Sequence, residues 1–589
     1  MDKKGVVMDK ARIGSIFTDC KSLQIPFFQR SYVWDEKNWE RFLDDMKNVS
    51  QTKKDYFLGT FIMKNNPDTK CSDVISEVRT VIDGQQRFTT LILFFYVLYL
   101  KSNDYTEFRR KFFNSADEPT LNHNYCDKPI FDIIISNQLD SEKEKDYSNS
   151  QILKAYKYFN DNVNPEDFDA RVLFAHLYFV EISVGQNEDE QQIFDTINSL
   201  GVRLSTAELL KNYLFSSDDI KLYKENWEKC FEQGEKKSFW LDSTPNKNKR
   251  SNIDLFLYAF LSIKSDKEIT VEHLFEQFKD YLKEIDYKNN EHNKISLINE
   301  LKNYAEIYYK NINVNCGNEI LIDNANSINR LNIIMFELET RTLLPYCLYI
   351  LKNANINEQN KIFGFLEKYI MRRMISKIGS TKNYNRLFMS FIKNNILTEE
   401  ELKAEIYSEQ KNSSENSKMP NDDEVENGIN NYDHTNQIAK GILYLLETAK
   451  RDNKDCTTTL CLSNYQLEHI LPKKWEKYWQ IIDATKEQEQ NRIKHIKLLG
   501  NKTLLSSPLN NSIKNASWDI KLNGDPNNNK IGGYKDYAKG LKTFNFDNYE
   551  YWNEDTIDQR SKELLNDIND VWNYDNQIIS STQEQISLL

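Results

Sequence analysis

The sequence predicts an α+β chain in which helix predominates, divided into more than one domain. Two apolar runs, YFLGTFIMK (56–64) and VRTVIDGQQRF (78–88), have the length and composition of buried strands. From about 216 to 400 the apolar residues recur at helical spacing instead, as in VEHLFEQFKDYLKEI and FGFLEKYIMRRMIS, the pattern of a helical bundle. A chain of 589 residues also exceeds the size at which a single core keeps growing, so two or three domains are expected. The reading places a first domain at 1–220, a helical domain at 221–407, a flexible linker at 408–437 and a last domain at 438–589.

Hydrophobic residues at 39% and aromatics at 12% are enough for ordinary cores, which excludes a disordered chain. The eight Cys include no CxxC pair, and the closest two, Cys456 and Cys461, lack zinc-site spacing, so free thiols in a reducing compartment are expected. The N-terminal MDKKGVVMDKARIG has no apolar signal core, and Phe88 to Leu100 is too short to span a bilayer. The expected location is therefore the bacterial cytoplasm, with no membrane partner. A net charge of −12 argues against coating nucleic acid by bulk electrostatics. Locally the balance reverses, with ten Lys/Arg against six Asp/Glu from Asn464 to Lys521.

Taken in order, RIGSIFTDCKSLQIPFFQRSYVW (12–34) begins as a short helix and enters a strand at Leu23, with Pro26 suited to an edge or bend. Gln29, Arg30, Tyr32 and Trp34 follow on an extended segment, and Asp35 caps the helix WERFLDDMKNV. Arg30 and Trp34 serve equally well as a surface ion-pair partner and a core aromatic. The second apolar run leads straight into Asp83, Gly84, Gln85, Gln86 and Arg87 and then the helix TTLILFFYVLYL. Strand, Gly turn, helix aims backbone N–H groups and the helix dipole at an anion, and Arg87 adds a guanidinium fork suited to phosphate. A plain Asp-Gly turn capping a core helix has the same pattern. In IFDTINSLGVRLSTAELLKNYLF (193–215), Asp195 and Asn198 lie one turn apart and converge on a ribose or a metal, while Ser205 or Thr206 with Glu208 marks a helix start. An ordinary corner of a helical bundle accounts for each of these residues singly.

The helical stretch carries no recognisable chemistry, although Arg372 and Arg373 suit either a helix C-terminus or DNA. Residues 408–436 are rich in Ser, Asn, Asp and Glu and read as a loop. Beyond them, NYQLEHILPKKW and HIKLLGNKTLLSSPLN carry a His beside a carboxylate, followed by two Asn. That set is what a one-metal phosphodiester nuclease needs. His469 takes a proton from the attacking water, Glu468 and Asn510 offer oxygens to a hard divalent cation, and the Asn501 amide holds the loop or the imidazole. A solvated Glu-His turn is the plain alternative.

These segments resemble a known family. IPFFQRSYVW, YFLGTFI, VIDGQQRFTTL and IFDTINSLGVRLSTAELLKNYLF, in that order, are similar to the N-terminal domain of the GmrSD family of type IV, modification-dependent restriction proteins, which includes the BrxU and SspE types. EHILP and GNKTLLSSPLN resemble the HNH (His-Me finger, ββα-metal) nuclease domain at that family's C-terminus. The resemblance implies a ParB/sulfiredoxin-like core with helical additions, a middle bundle and a C-terminal ββα-metal domain. It implies binding and hydrolysis of a nucleoside triphosphate (GTP, ATP or CTP) at Asp83, Gly84, Gln85, Gln86 and Arg87, with Gln29 and Arg30 as the family's Q-R pair and Asn198 facing nucleotide. At the other end it implies His469 as general base, Glu468 and Asn510 as ligands of Mg²⁺ or Mn²⁺, and Asn501 as structural Asn. Lys521 and Arg560 are matched to family positions that approach phosphate. The expected function is an anti-phage endonuclease, nucleotide-regulated and metal-dependent, acting on double-stranded, modified phage DNA, as a monomer or a homo-oligomer. The alternative is a nucleotide-dependent DNA sensor or clamp with little nuclease activity.

Overall fold

The computed structural model describes the chain except residues 1–6, 18–20, 27–28, 30, 66–76, 115, 125, 185–204, 216–218, 245–248, 324, 379–383, 412–416, 452–460, 514, 527–531, 538–539 and 575–589. It forms two compact units, Met1–Glu225 and Asn226–Leu589. The class is α+β with helix predominant.

The first unit is built on a mixed six-stranded sheet. Its strands are β1 (Val7–Arg12), β2 (Lys21–Gln24), β3 (Tyr56–Asn65), β4 (Glu77–Asp83), β5 (Leu121–Asn122) and β6 (Leu177–Val184), in the spatial order β1-β6-β3-β4-β2-β5. Pro26 falls after β2 has ended, so an inner strand escapes its missing N–H. The short helix α1 (Ile13–Ile16) follows β1, and α2 (Glu36–Thr52) opens on a capping box between Asp35 and Asn38. The apolar run seen in the sequence is α3 (Gln85–Lys101), buried along most of its length against the sheet. No described helix is long and apolar enough to cross a membrane.

The second unit contains both the helical stretch and the C-terminal region. The helix α4 (Ile356–Ser376) buries Arg372 and Arg373. Arg372 donates to Pro420 O (2.8 Å), Trp572 O (2.8 Å) and Asp422 (2.6 Å), and Arg373 donates to Lys418 O (2.7 Å) and Tyr384 Oη (3.1 Å). These bonds fix backbone in the region expected to be a flexible linker. There the chain forms α5 (Asp422–Asn431), capped by Asn421 and burying Val425 and Ile429. Next comes α6 (Asn436–Ala449), then an antiparallel hairpin of β7 (Tyr465–His469) and β8 (Lys502–Ser506). The helices α7 (Ser507–Ile513), α8 (Trp518–Asn523) and α9 (Glu554–Val571) follow it.

Candidate functional site

The β7–β8 hairpin organises the C-terminal site. Its register pairs Glu468 with Thr503 and His469 with Lys502. Directly opposed residues share a face, and successive residues alternate. Gln466 and Glu468 therefore face one side, and His469 and Lys502 the other.

On the first side, Asn510 of α7 donates through Nδ2 to Gln466 Oε1 (3.0 Å), which leaves its own Oδ1 without a described partner. Glu468 is 7% exposed, and burial raises its pKa against the opposing pull of Lys521. Oε1 binds the Lys521 ammonium, and the carboxylate also accepts from the His469 backbone N–H. A carboxylate and a carboxamide are thus carried by the same strand and by the helix that follows its partner. That set fits a hard cation that keeps most of its ligands as water, although no group of three His, Cys, Asp or Glu converges among the described residues.

The His469 ring is partly buried and makes no hydrogen bond with a described residue. Burial, with Lys502, Lys473 and Lys521, lowers its pKa to about 4, so the imidazole is neutral at pH 7 with a lone pair available. Asn501 is fully buried at the end of the intervening loop. Its Oδ1 accepts from Leu471 N (2.8 Å) and Trp552 Nε1 (3.1 Å), and its Nδ2 donates to Leu471 O (2.9 Å) and Ile496 O (3.1 Å). The amide ties the loop after β7, not the imidazole.

Two residues expected to approach phosphate face inward. Lys521 is fully buried, and its ammonium is held by Glu468 and by the carbonyls of His469 (3.1 Å) and Ile470 (3.0 Å). Arg560 is 1% exposed, donates to Gly500 O (2.6 Å) and Lys502 O (2.7 Å), and stacks over Phe544. Both hold the hairpin ends in place. Burial of an unpaired side-chain cation is costly, and these carbonyls offset that cost.

The chain carries family models at both ends. The GmrSD restriction endonuclease N-terminal domain matches residues 13–215, and the GmrSD restriction endonuclease C-terminal domain matches 412–567. The chain belongs to the GmrSD family. No curated protein matches it. As a GmrSD protein it is an endonuclease of the restriction type, a class whose partner is DNA, and the hairpin site lies inside the matched C-terminal domain.

The GmrSD N-terminal match covers the second predicted site. Gly84 begins α3 with φ +104, and a Cβ there would lie 2.8 Å from that of Phe61. Arg87 pairs with Asp83 (3.0 Å) and lies over Gly59, φ +114, whose absent Cβ makes room for the guanidinium. Beside it is an open cleft of about 330 Å³ lined by Trp34, Arg41, Tyr56, Phe57, Gly59 and Arg87. The two buried glutamines are internally engaged. Gln29 donates to Val81 O (2.7 Å) and Ile82 O (2.9 Å), and Gln86 accepts from Val33 N (2.9 Å) and donates to Ser31 O (3.3 Å). They pin Gln29, Ser31 and Val33 across the β4–α3 junction rather than offering their amides to a ligand. Gln85, at the first turn of α3, is only partly buried. Arg30, Asp195 and Asn198 lie outside the described residues.

Sequence reasoning missed Lys502, Asp433 and His434. Lys502 is fully buried opposite His469, donating to His434 O (2.9 Å) and Asp433 (3.4 Å). The one signal was a lysine opening an otherwise apolar strand. Nothing local marked the other two, which lie in the presumed linker.

Proposed function

We propose that the C-terminal region is an HNH-type, metal-dependent DNA nuclease. The observation that carries this reading is that consecutive residues of one strand, Glu468 and His469, present a carboxylate and a neutral imidazole, with the Asn510 amide held beside the same strand at Gln466. His469 takes the proton from a water as that oxygen attacks phosphorus. The P–O bond to the leaving alcohol then breaks, and the alkoxide takes a proton from solvent. A divalent cation at Glu468 and Asn510 would polarise the phosphate and offset charge on the leaving oxygen. Asn501 and Lys521 keep the turn after His469 in the required conformation.

At the N-terminal end, the start of α3 with Arg87, Arg41 and Trp34 around the cleft favours a nucleoside triphosphate that regulates cutting. The substrate is foreign DNA, in keeping with the modification dependence implied by the family resemblance.

The test is nicking of supercoiled plasmid with Mg²⁺ or Mn²⁺, with and without triphosphate, across modified and unmodified DNAs. His469→Ala should lower the rate by about 10²–10⁴-fold while the protein stays folded. Cutting by that variant at the parental rate removes the mechanism.

A further inference from the structure

The side of the hairpin that carries His469 is cationic, and part of that charge comes from outside the matched C-terminal domain. Lys377 terminates α4, upstream of residue 412, in a left-handed conformation (φ 53). Its exposed ammonium donates to Asp433 O (2.7 Å), in the loop whose Asp433 carboxylate and His434 carbonyl hold Lys502. Lys473, in the loop after β7, is exposed and has no described ion-pair or hydrogen-bond partner. Lys377 is thus tied through the Asp433 loop to Lys502, which lies directly opposite His469, and Lys473 follows His469 by four residues in the turn leaving the same strand. The opposing charge on this face is Asp433, already shared with Lys502.

This arrangement is held rigidly. Gly428 of α5 meets the end of α4 so closely that a Cβ would lie 2.2 Å from Ile375 O and 2.7 Å from Ser376 Cα. α5 leads directly into Tyr432–Thr435, so the crossing fixes the loop beside Lys502. Arg372 and Arg373 anchor the segment entering α5 from the same stretch of α4. A cation that is solvent-facing, positioned by packing and beside a nucleophile-activating imidazole suits a phosphodiester, whose counterions it would release.

We infer that Lys377 and Lys473 form a binding site for a phosphate of the DNA strand flanking the one cut at His469, so that the helical stretch before the matched domain contributes directly to substrate binding. This rests on the nuclease reading for the identity of the strand. The site takes a backbone phosphate and is therefore indifferent to base sequence.

The experiment uses full-length protein and a short fluorescent duplex, with EDTA present so that nothing is cut, over a series of KCl concentrations. Lys377→Ala and Lys473→Ala should each weaken binding about five-fold and lower the slope of log K against log salt by about 0.9, with Lys377→Arg close to the parent. With metal restored, each Ala variant should raise KM with little change in kcat. Parental affinity and slope in both Ala variants overturn the inference, as does a parent that does not bind the duplex. Weakened binding in a protein that never cuts, with either metal, would leave the phosphate site standing and remove the nuclease reading instead.

Discussion

Lys521 and Glu468 form an ion pair in the interior of the C-terminal unit, with Lys521 fully buried and Glu468 7% exposed. The same ammonium holds the carbonyls of His469 and Ile470, so it fixes both the carboxylate and the backbone bearing the imidazole. Lys521→Met should destabilise this unit by about 3–5 kcal/mol, because an unpaired carboxylate is left buried. Adding Glu468→Gln should recover most of the melting temperature without recovering cleavage. Calorimetry and plasmid nicking on the single and double variants check both outcomes.

Asn501 makes four hydrogen bonds with one amide. Asn501→Ala strands the Leu471 N–H and the Trp552 indole N–H and should cost about 3 kcal/mol. Asn501→Asp retains the acceptor but cannot donate to Leu471 O and Ile496 O, so it should fail as well. Thermal melts and cleavage rates of the two variants should fall together.

His434 is 1% exposed, and burial, with Lys377 and Lys502, lowers its pKa from the ordinary 6.5 to about 4. Above pH 6.5 the ring is neutral in both folded and unfolded states and adds no pH dependence. Between pH 6.5 and 4 the unfolded chain binds the proton first, so stability is progressively lost as pH falls, by up to about 3 kcal/mol. Melting temperatures from pH 7 to 4.5 should show the loss, and His434→Gln should flatten it. His469 is lowered to about 4 as well, so the acid limb of kcat/KM should lie well below pH 6.5.

Gly84 and Gly59 both have φ beyond +100, and each missing Cβ corresponds to space already filled, by Phe61 and Arg87 respectively. Gly84→Ala should destabilise the N-terminal unit by about 1–3 kcal/mol, since the backbone is strained and the Phe61 backbone lies close behind the contact. Gly59→Ala meets only the end of a flexible side chain. Its backbone at φ +114 is nevertheless strained for any Cβ, so it should lower stability by about 1–3 kcal/mol and also displace the Arg87 guanidinium. On the nucleotide reading, Gly59→Ala and Arg87→Ala should both slow triphosphate turnover. Unchanged turnover in Arg87→Ala removes that assignment.

The sequence by itself determined what depends on near neighbours. The strand–Gly–helix step at Asp83–Arg87, the Asp35 cap and the Ser205–Glu208 capping box are set by residues within one turn of each other. The order of Glu468, His469, Asn501 and Asn510 along the chain was legible through the family resemblance of EHILP and GNKTLLSSPLN. Tertiary structure alone decided which polar side chains face a ligand and which face the interior. Lys521 reaches a carboxylate 53 positions away, and Gln29 reaches carbonyls more than 50 positions on, so no local pattern separates them from solvent-facing residues. The presumed linker became α5 because Arg372 and Arg373 of α4 bind its backbone and Gly428 admits close packing. Composition reports how much apolar surface a segment brings, whereas burial depends on what surface from elsewhere in the chain meets it.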